Sequence, residues 1–222
     1  REIPDLDALT FSGSGAPTLC ADLGRVLRGV KARGVETRTV VLTNGAHLID
    51  PAVRADLAAA DLIVPSLDAA TEEVFRAVDR PDESVRLADV ISGITALSIE
   101  CPGKVVVEVL LVKGMNDSDD DMRALRSAMD RIRPAGVEIV TVERPPAYGG
   151  VEPVSPERLL EIREKWFPEA RVPLRDNVAR ASAAPGEGDA ERRLLDAVRR
   201  RGLGAEEADM IAPGIADRLV AD

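Results

Sequence analysis

Five times along this chain a short apolar run gives way to a stretch with helical spacing, and that repetition restricts the fold more than any other feature. The apolar runs lie at 7–12, 36–43, 62–67, 105–112 and 137–142. The helical stretches are predicted at 18–33, 51–57, 70–78 and 84–99, then at 118–132 and 155–166. Strand-then-helix units in succession imply a parallel sheet with right-handed crossovers. The nearly continuous apolar strands fit a sheet covered on both sides. A doubly wound sheet and a segment of a (β/α) barrel both satisfy that pattern.

Strand parity separates them. One alternating set reads Ala8, Thr10, Ser12, a second Leu62, Val64, Ser66, Asp68, and a third Val106, Glu108, Leu110, Val112. Glu108 is the sharpest case, a carboxylate in the middle of an apolar strand. Facing a covering helix, its charge would be costly to bury. A wet or ligand-filled lumen is the cheaper address, and a paired structural Glu in a dry sheet is the alternative. The expected class is therefore α/β, with a partial (β/α) barrel preferred.

The turns carry specific chemistry. In Thr10-Phe11-Ser12-Gly13-Ser14-Gly15-Ala16-Pro17-Thr18-Leu19 a strand stops at a glycine turn and a helical pattern resumes at Leu19, Leu23, Val26, Leu27 and Val30. Gly13 and Gly15 let backbone N–H groups approach a ligand closely. Asp50-Pro51 sets an N-cap followed by proline at the first helical position. Ser118-Asp119-Asp120-Asp121 puts carboxylates on a first turn, where the helix dipole favours them.

The chain has 222 residues and a net charge of −10, which argues against a broad non-specific nucleic-acid surface. Only Cys20 and Cys101 occur, too few and too far apart for a disulfide framework or a metal site, and both are expected to be buried or half-buried. No window reaches the roughly 18 apolar residues of a membrane span. No leader or lipidation motif stands out, so a cytoplasmic location is expected. Domain boundaries are read as a barrel over 1–168, a Pro/Ala/Gly-rich linker over 169–189 and a small helical appendage over 190–222. The chain starts at Arg1 and enters a strand almost at once, which reads as a piece whose first unit lies upstream.

In parallel α/β folds ligands sit at the carboxyl ends of the strands. Collected there are Ser12, Ser14, Asn44, Ser66, Asp68, Asn116, Asp117 and Arg144. Asp68 can accept both hydroxyls of a ribose, or else cap the helix expected from about Ala70. Asn44 and Ser66 suit a polar cofactor tail. His47 reads as a surface residue, and no pair of residues has the spacing of a catalytic dyad.

These segments together carry a resemblance: the 9–19 run, Leu42-Thr43-Asn44-Gly45, Pro65-Ser66-Leu67-Asp68-Ala69 with Phe75 and Arg80-Pro81, Val107-Glu108-Val109, Lys113-Gly114-Met115-Asn116-Asp117 and Arg144-Pro145-Pro146. In order and spacing, over roughly residues 5–165, they resemble radical S-adenosylmethionine (radical SAM) enzymes, and within them the branch of the wyosine-forming tRNA-modifying proteins. The resemblance implies a partial barrel lacking its first unit. It also implies reductive cleavage of S-adenosylmethionine to a 5′-deoxyadenosyl radical, an oxidoreductase chemistry. The implied cofactors are S-adenosylmethionine and a [4Fe–4S] cluster held by a Cys-x3-Cys-x2-Cys loop upstream of residue 1. The implied partners are an electron donor such as flavodoxin or ferredoxin, and a tRNA. Site residues carried over are Ser12, Gly13, Ser14 and Gly15 for the methionyl amino group, Asn44, then Ser66 and Asp68 at the ribose, and Asn116 towards the adenine.

Two departures matter. Ala16 stands where the family usually has Glu, and the three-cysteine loop is absent, so no metal ligand is assigned to this chain and the chain by itself is expected to be inactive. Two other functions fit the same architecture. One is a non-catalytic barrel-derived binding module that has lost the cluster. The other is a phosphate-binding barrel aldolase or epimerase, for which Lys113 is the lone candidate amine.

Overall fold

The apolar runs form β1 (Ala8–Phe11), β2 (Arg38–Thr43), β3 (Leu62–Pro65), β4 (Val106–Leu111) and β5 (Gly136–Thr141). The helical stretches form α1 (Leu23–Ala32), α2 (Pro51–Leu57), α3 (Glu72–Val78), α4 (Leu87–Glu100), α5 (Asp119–Ile132) and α6 (Pro156–Trp166). The structure, a computed structural model, describes residues 8–13, 15–34, 37–142 and 150–173. All of them belong to one compact unit, Arg1–Leu174. Ser14, Arg144, most of the expected linker and the whole expected appendage at 190–222 lie outside the described residues.

Every strand pairing is parallel, and strand order follows chain order. One sheet runs β1-β2-β3 and a second β4-β5. Isolated parallel bridges, Ile63 to Val105 and Ser66 to Glu108, join β3 to β4. The expected single run of five strands is thus two ladders with a loosened seam between them. A further parallel bridge, Glu138 to Arg171, extends the far edge beyond β5. Arg171 N–H donates to Val137 O at 2.9 Å and Ala170 is buried, so the chain stays in the fold to residue 173, past the expected linker start.

The two faces of the strands differ. Val41, Ile63, Val107, Val109, Leu111, Val137 and Ile139 are buried beneath the helices. They pack with Leu27, Leu57, Ile94, Leu97, Leu125, Ile132, Ile162 and Phe167 in one core. Each large apolar side chain so buried contributes about 1.5–3 kcal/mol. On the other face Thr10, Ser12 and Leu42 are exposed, and Glu108, Leu110, Glu138 and Val140 are half-buried. No helix among the described residues is long and apolar enough to cross a membrane.

Local chemistry sets the helix starts. Asp50 accepts from Ala52 N–H at 2.8 Å with Pro51 behind it. Ser118 and Asp121 form a reciprocal capping box, and Ser155 accepts from Arg158 N–H at 3.3 Å. Two helices are shorter than their periodicity predicts. The 18–33 stretch splits into a 3-10 turn, Pro17–Leu19, and α1, because Cys20 is extended (φ −82°, ψ 111°). The 84–99 stretch begins only at Leu87. Asp82 first captures Ser84 N–H at 2.9 Å, and Arg76 takes the carbonyls of Asp82 and Val85. Glu72 then accepts from Leu87 N–H at 3.1 Å and fixes the true start.

Candidate active site

The strand register builds the site. Thr43 pairs with Pro65, so Asn44 and Ser66 follow side by side at the ends of β2 and β3. Ser66 is bridged to Glu108, and Glu108 is in register with Glu138. A row of polar side chains therefore crosses the less covered face of the strands: Asn44, Ser66, Glu108, Glu138. Ser12 stands exposed just past β1, and a Cβ added at Gly15 would meet no atom within 4 Å. Asn44 is exposed and shapes its own turn, accepting from Ala46 N–H at 3.2 Å.

Asp68 lies deeper, 7% exposed. Its Oδ1 accepts from Leu110 N–H at 2.8 Å, so its carboxyl replaces a backbone partner where β3 and β4 part. It caps no helix: α3 starts at Glu72, and Thr71 is the cap, accepting from Val74 N–H at 3.4 Å. That corrects the capping alternative. Loss of water pushes the Asp68 pKa well above the ordinary carboxylate range, with Asp79 next in importance and Glu108 adding to it.

Asn116 is fully buried and is a clamp. Its Nδ2 donates to Asp68 O and to Leu110 O, each at 2.8 Å, and its Oδ1 accepts from Val112 N–H at 2.7 Å. Both amide hydrogens are consumed by the protein's own backbone, so in this conformation it positions the site and offers a ligand no hydrogen. Asp117 likewise accepts from Gly114 N–H at 2.8 Å and shapes its loop.

Glu108 has the half-buried position its parity predicted. Burial first, and Glu138 opposite it second, push its pKa up. Neither Glu forms an ion pair among the described residues. Lys113 pairs with Glu152 at 2.7 Å on the surface, and that partner raises its pKa. An amine nucleophile needs the opposite shift, so the aldolase alternative loses its residue. His47 is exposed, as expected, and so is Cys20, against expectation; Cys101 is buried. Among the described residues no three His, Cys, Asp or Glu side chains come together as a metal site, so an iron–sulfur cluster has no ligands there.

Two residues escaped the sequence reading. Glu138 has the parity of Glu108 on the next strand, and that parity was its signal. Asp79 follows the last turn of α3, where the dipole disfavours a carboxylate, and that misplaced charge was the signal. Loss of water around the Asp79 carboxyl pushes its pKa up to about 6, while the Asp68 carboxyl and the Asp79 backbone pull the other way.

No family model matches the chain. Among solved structures it is similar to a domain of a pyruvate-formate lyase-activating enzyme from Bacteroides vulgatus, with a TM-score of 0.58 at 13% identity over 74% of this chain and 96% of that one. It is equally similar to a radical SAM methyltransferase from Sphaerobacter thermophilus, TM-score 0.58 at 18% identity, covering 77% of this chain and 51% of that one. The fold is similar to that of radical SAM enzymes. In sequence the chain is 32% identical over 207 residues to a UPF0026 protein of Helicobacter pylori, covering 93% of this chain and 66% of that protein. It is also 30% identical over 163 residues to a protein named GTPase Obg from Brachyspira hyodysenteriae, covering 73% of this chain but only 24% of that protein. The chain therefore spans less than two thirds of the length of these relatives. The phosphate-binding signature of a P-loop, G-x-x-x-x-G-K-[ST], is absent from its sequence.

Proposed function

We propose that this chain is the C-terminal majority of a radical SAM enzyme, a partial (β/α) barrel whose strand ends hold the adenosyl and methionyl parts of S-adenosylmethionine. The observation that carries the reading is the in-register polar row that runs from Asn44 and Ser66 at the carboxyl ends of β2 and β3 to Glu108 and Glu138 within β4 and β5, on the face the helices leave open, in a fold similar to radical SAM enzymes. The Asn44 amide nitrogen and the Ser66 hydroxyl lie there, the Asn44 oxygen being held by Ala46 N–H, and the open space at Gly15 leaves room for close backbone approach. Asp68, reached from the same face, is assigned the ribose hydroxyls. S-adenosylmethionine, when bound, supplies radical chemistry on one-electron reduction; the chain's residues orient it and keep water away. The cluster and its reductant, a flavodoxin- or ferredoxin-type donor, are assigned to residues and proteins outside this chain. Kinship with the wyosine-forming branch, a tRNA substrate and a cytoplasmic setting are finer parts of the same proposal, resting on the motifs at 9–19, 65–69 and 113–117.

The test is equilibrium binding of S-adenosylmethionine to the chain and to Asp68→Asn, which keeps an acceptor for Leu110 N–H but removes the charge. Charge-assisted hydrogen bonds are worth about 1.5–3 kcal/mol each, so a loss of one to two orders of magnitude in affinity is expected. Equal affinity of the two proteins, or binding to neither, refutes the assignment.

A further inference from the structure

Arg171 extends the polar row by one more strand position. It bridges Glu138 in parallel, its N–H donating to Val137 O at 2.9 Å and its carbonyl accepting from Ile139 N–H at 2.8 Å. Its neighbours Ala170 and Val172 pack against the core, so the Arg171 side chain points to the opposite face, the one that carries Glu138. Arg171 is exposed and Glu138 half-buried. Side by side and opposite in charge, they form no ion pair with each other among the described residues. The row therefore ends in two carboxylates and then a guanidinium, Glu108, Glu138 and Arg171, at about 4.8 Å per strand. The next position along this face is apolar, with Leu110 in register with Val140.

A dipolar ligand matches that order. An ammonium has hydrogens for both Glu108 and Glu138, and a carboxylate fits the planar fork of Arg171. A lone cation would leave the guanidinium unused, and a lone anion would meet two repelling carboxylates. An α-amino acid carries both groups on one carbon, within reach of the long side chains of Glu138 and Arg171. We propose that Glu108, Glu138 and Arg171 bind the ammonium and carboxylate of an α-amino acid whose apolar side chain lies on Leu110 and Val140. As a second-substrate subsite it rests on the cofactor reading above, in which residues 12–15 at the far edge take the methionyl group. That methionyl group is the other source of the same dipole, and the test separates the two.

The experiment follows amide shifts of the nitrogen-15-labelled chain during titration with L-norleucine. L-norleucinamide, which lacks the carboxylate, and N-acetyl-L-norleucine, which lacks the ammonium, are titrated in parallel. Norleucine should saturate shifts around residues 108–110, 138–140 and 171, binding about tenfold tighter than either derivative. Arg171→Gln should lose the preference over norleucinamide, and Glu138→Gln the preference over N-acetylnorleucine, each with the amide dispersion of the parent. Saturating S-adenosylhomocysteine should leave norleucine affinity unchanged. Equal response to the three compounds, no saturable shift, or preferences intact in the variants overturns the site. Competitive displacement of norleucine by S-adenosylhomocysteine gives the dipole to the cofactor and overturns the second-substrate subsite. Norleucine binding with these preferences, beside no binding of S-adenosylhomocysteine, keeps the amino-acid site and removes the cofactor reading instead.

Discussion

Asn116 grips the backbone of Asp68. One Nδ2 spans two carbonyls, Asp68 O on the chain leaving β3 and Leu110 O on β4, at 2.8 Å each. The Asp68 side chain returns the link through Leu110 N–H. The two ladders part near this point, and the side chains of these two residues replace the backbone hydrogen bonds that a continuous sheet would have supplied. The deep acidic group of the site is thus held by a polar clamp rather than by packing.

Removing that clamp should be costly. Asn116→Ala leaves Val112 N–H without its acceptor and removes a donor from two carbonyls, in a buried setting at Val112 and Asp68 and a part-buried one at Leu110. A buried unsatisfied group costs about 1–3 kcal/mol, so a loss of about 3 kcal/mol is expected after partial relaxation. Urea unfolding followed by circular dichroism measures it. An unchanged midpoint would mean that water satisfies these groups and that the clamp is dispensable.

Glu108 and Glu138 stand opposite each other in register on β4 and β5. Like charges placed opposite each other destabilise a sheet. The Glu108 pKa is raised in the folded state, so folding takes up protons there. Its contribution is then most favourable below the unfolded carboxylate pKa and declines as pH rises through the folded value. Glu108→Gln should therefore be more stable than the parent at pH 7, and the gain should vanish near pH 4. Thermal melts across that range check it, and a variant destabilised at pH 7 would point to a buried cationic partner instead.

Gly93 lies in the middle of α4, where helix propensity alone would favour alanine by about 1 kcal/mol. A Cβ there would come within 2.5 Å of the Leu48 carbonyl carbon and 2.7 Å of Ile49 N. Backbone cannot yield as a flexible side chain can. Gly93→Ala should cost about 1–3 kcal/mol despite its propensity gain, and a raised melting temperature would contradict the close approach of α4 to the loop before α2.

Much of the architecture was legible because its causes are local. Alternating and helical periodicities located the five strands and six helices, and Asp50-Pro51, Ser118 with Asp121, and Ser155-Pro156 set three helix starts from residues within one turn. Parity put Glu108 on the less covered face because successive residues of a strand must point to opposite sides. The start of α4 was misread where distant groups intervened: Arg76 and Glu72 hold the chain before Leu87, a grip that periodicity does not encode. The roles of the site residues depended still more on the tertiary structure. Asn116 meets Asp68 across 48 residues and Asp68 meets Leu110 across 42. Sequence alone determined which polar residues reach the strand ends, since backbone geometry does that. Which of them are left free for a ligand was decided by burial and by competing hydrogen-bond partners, and those exist only once the chain has folded.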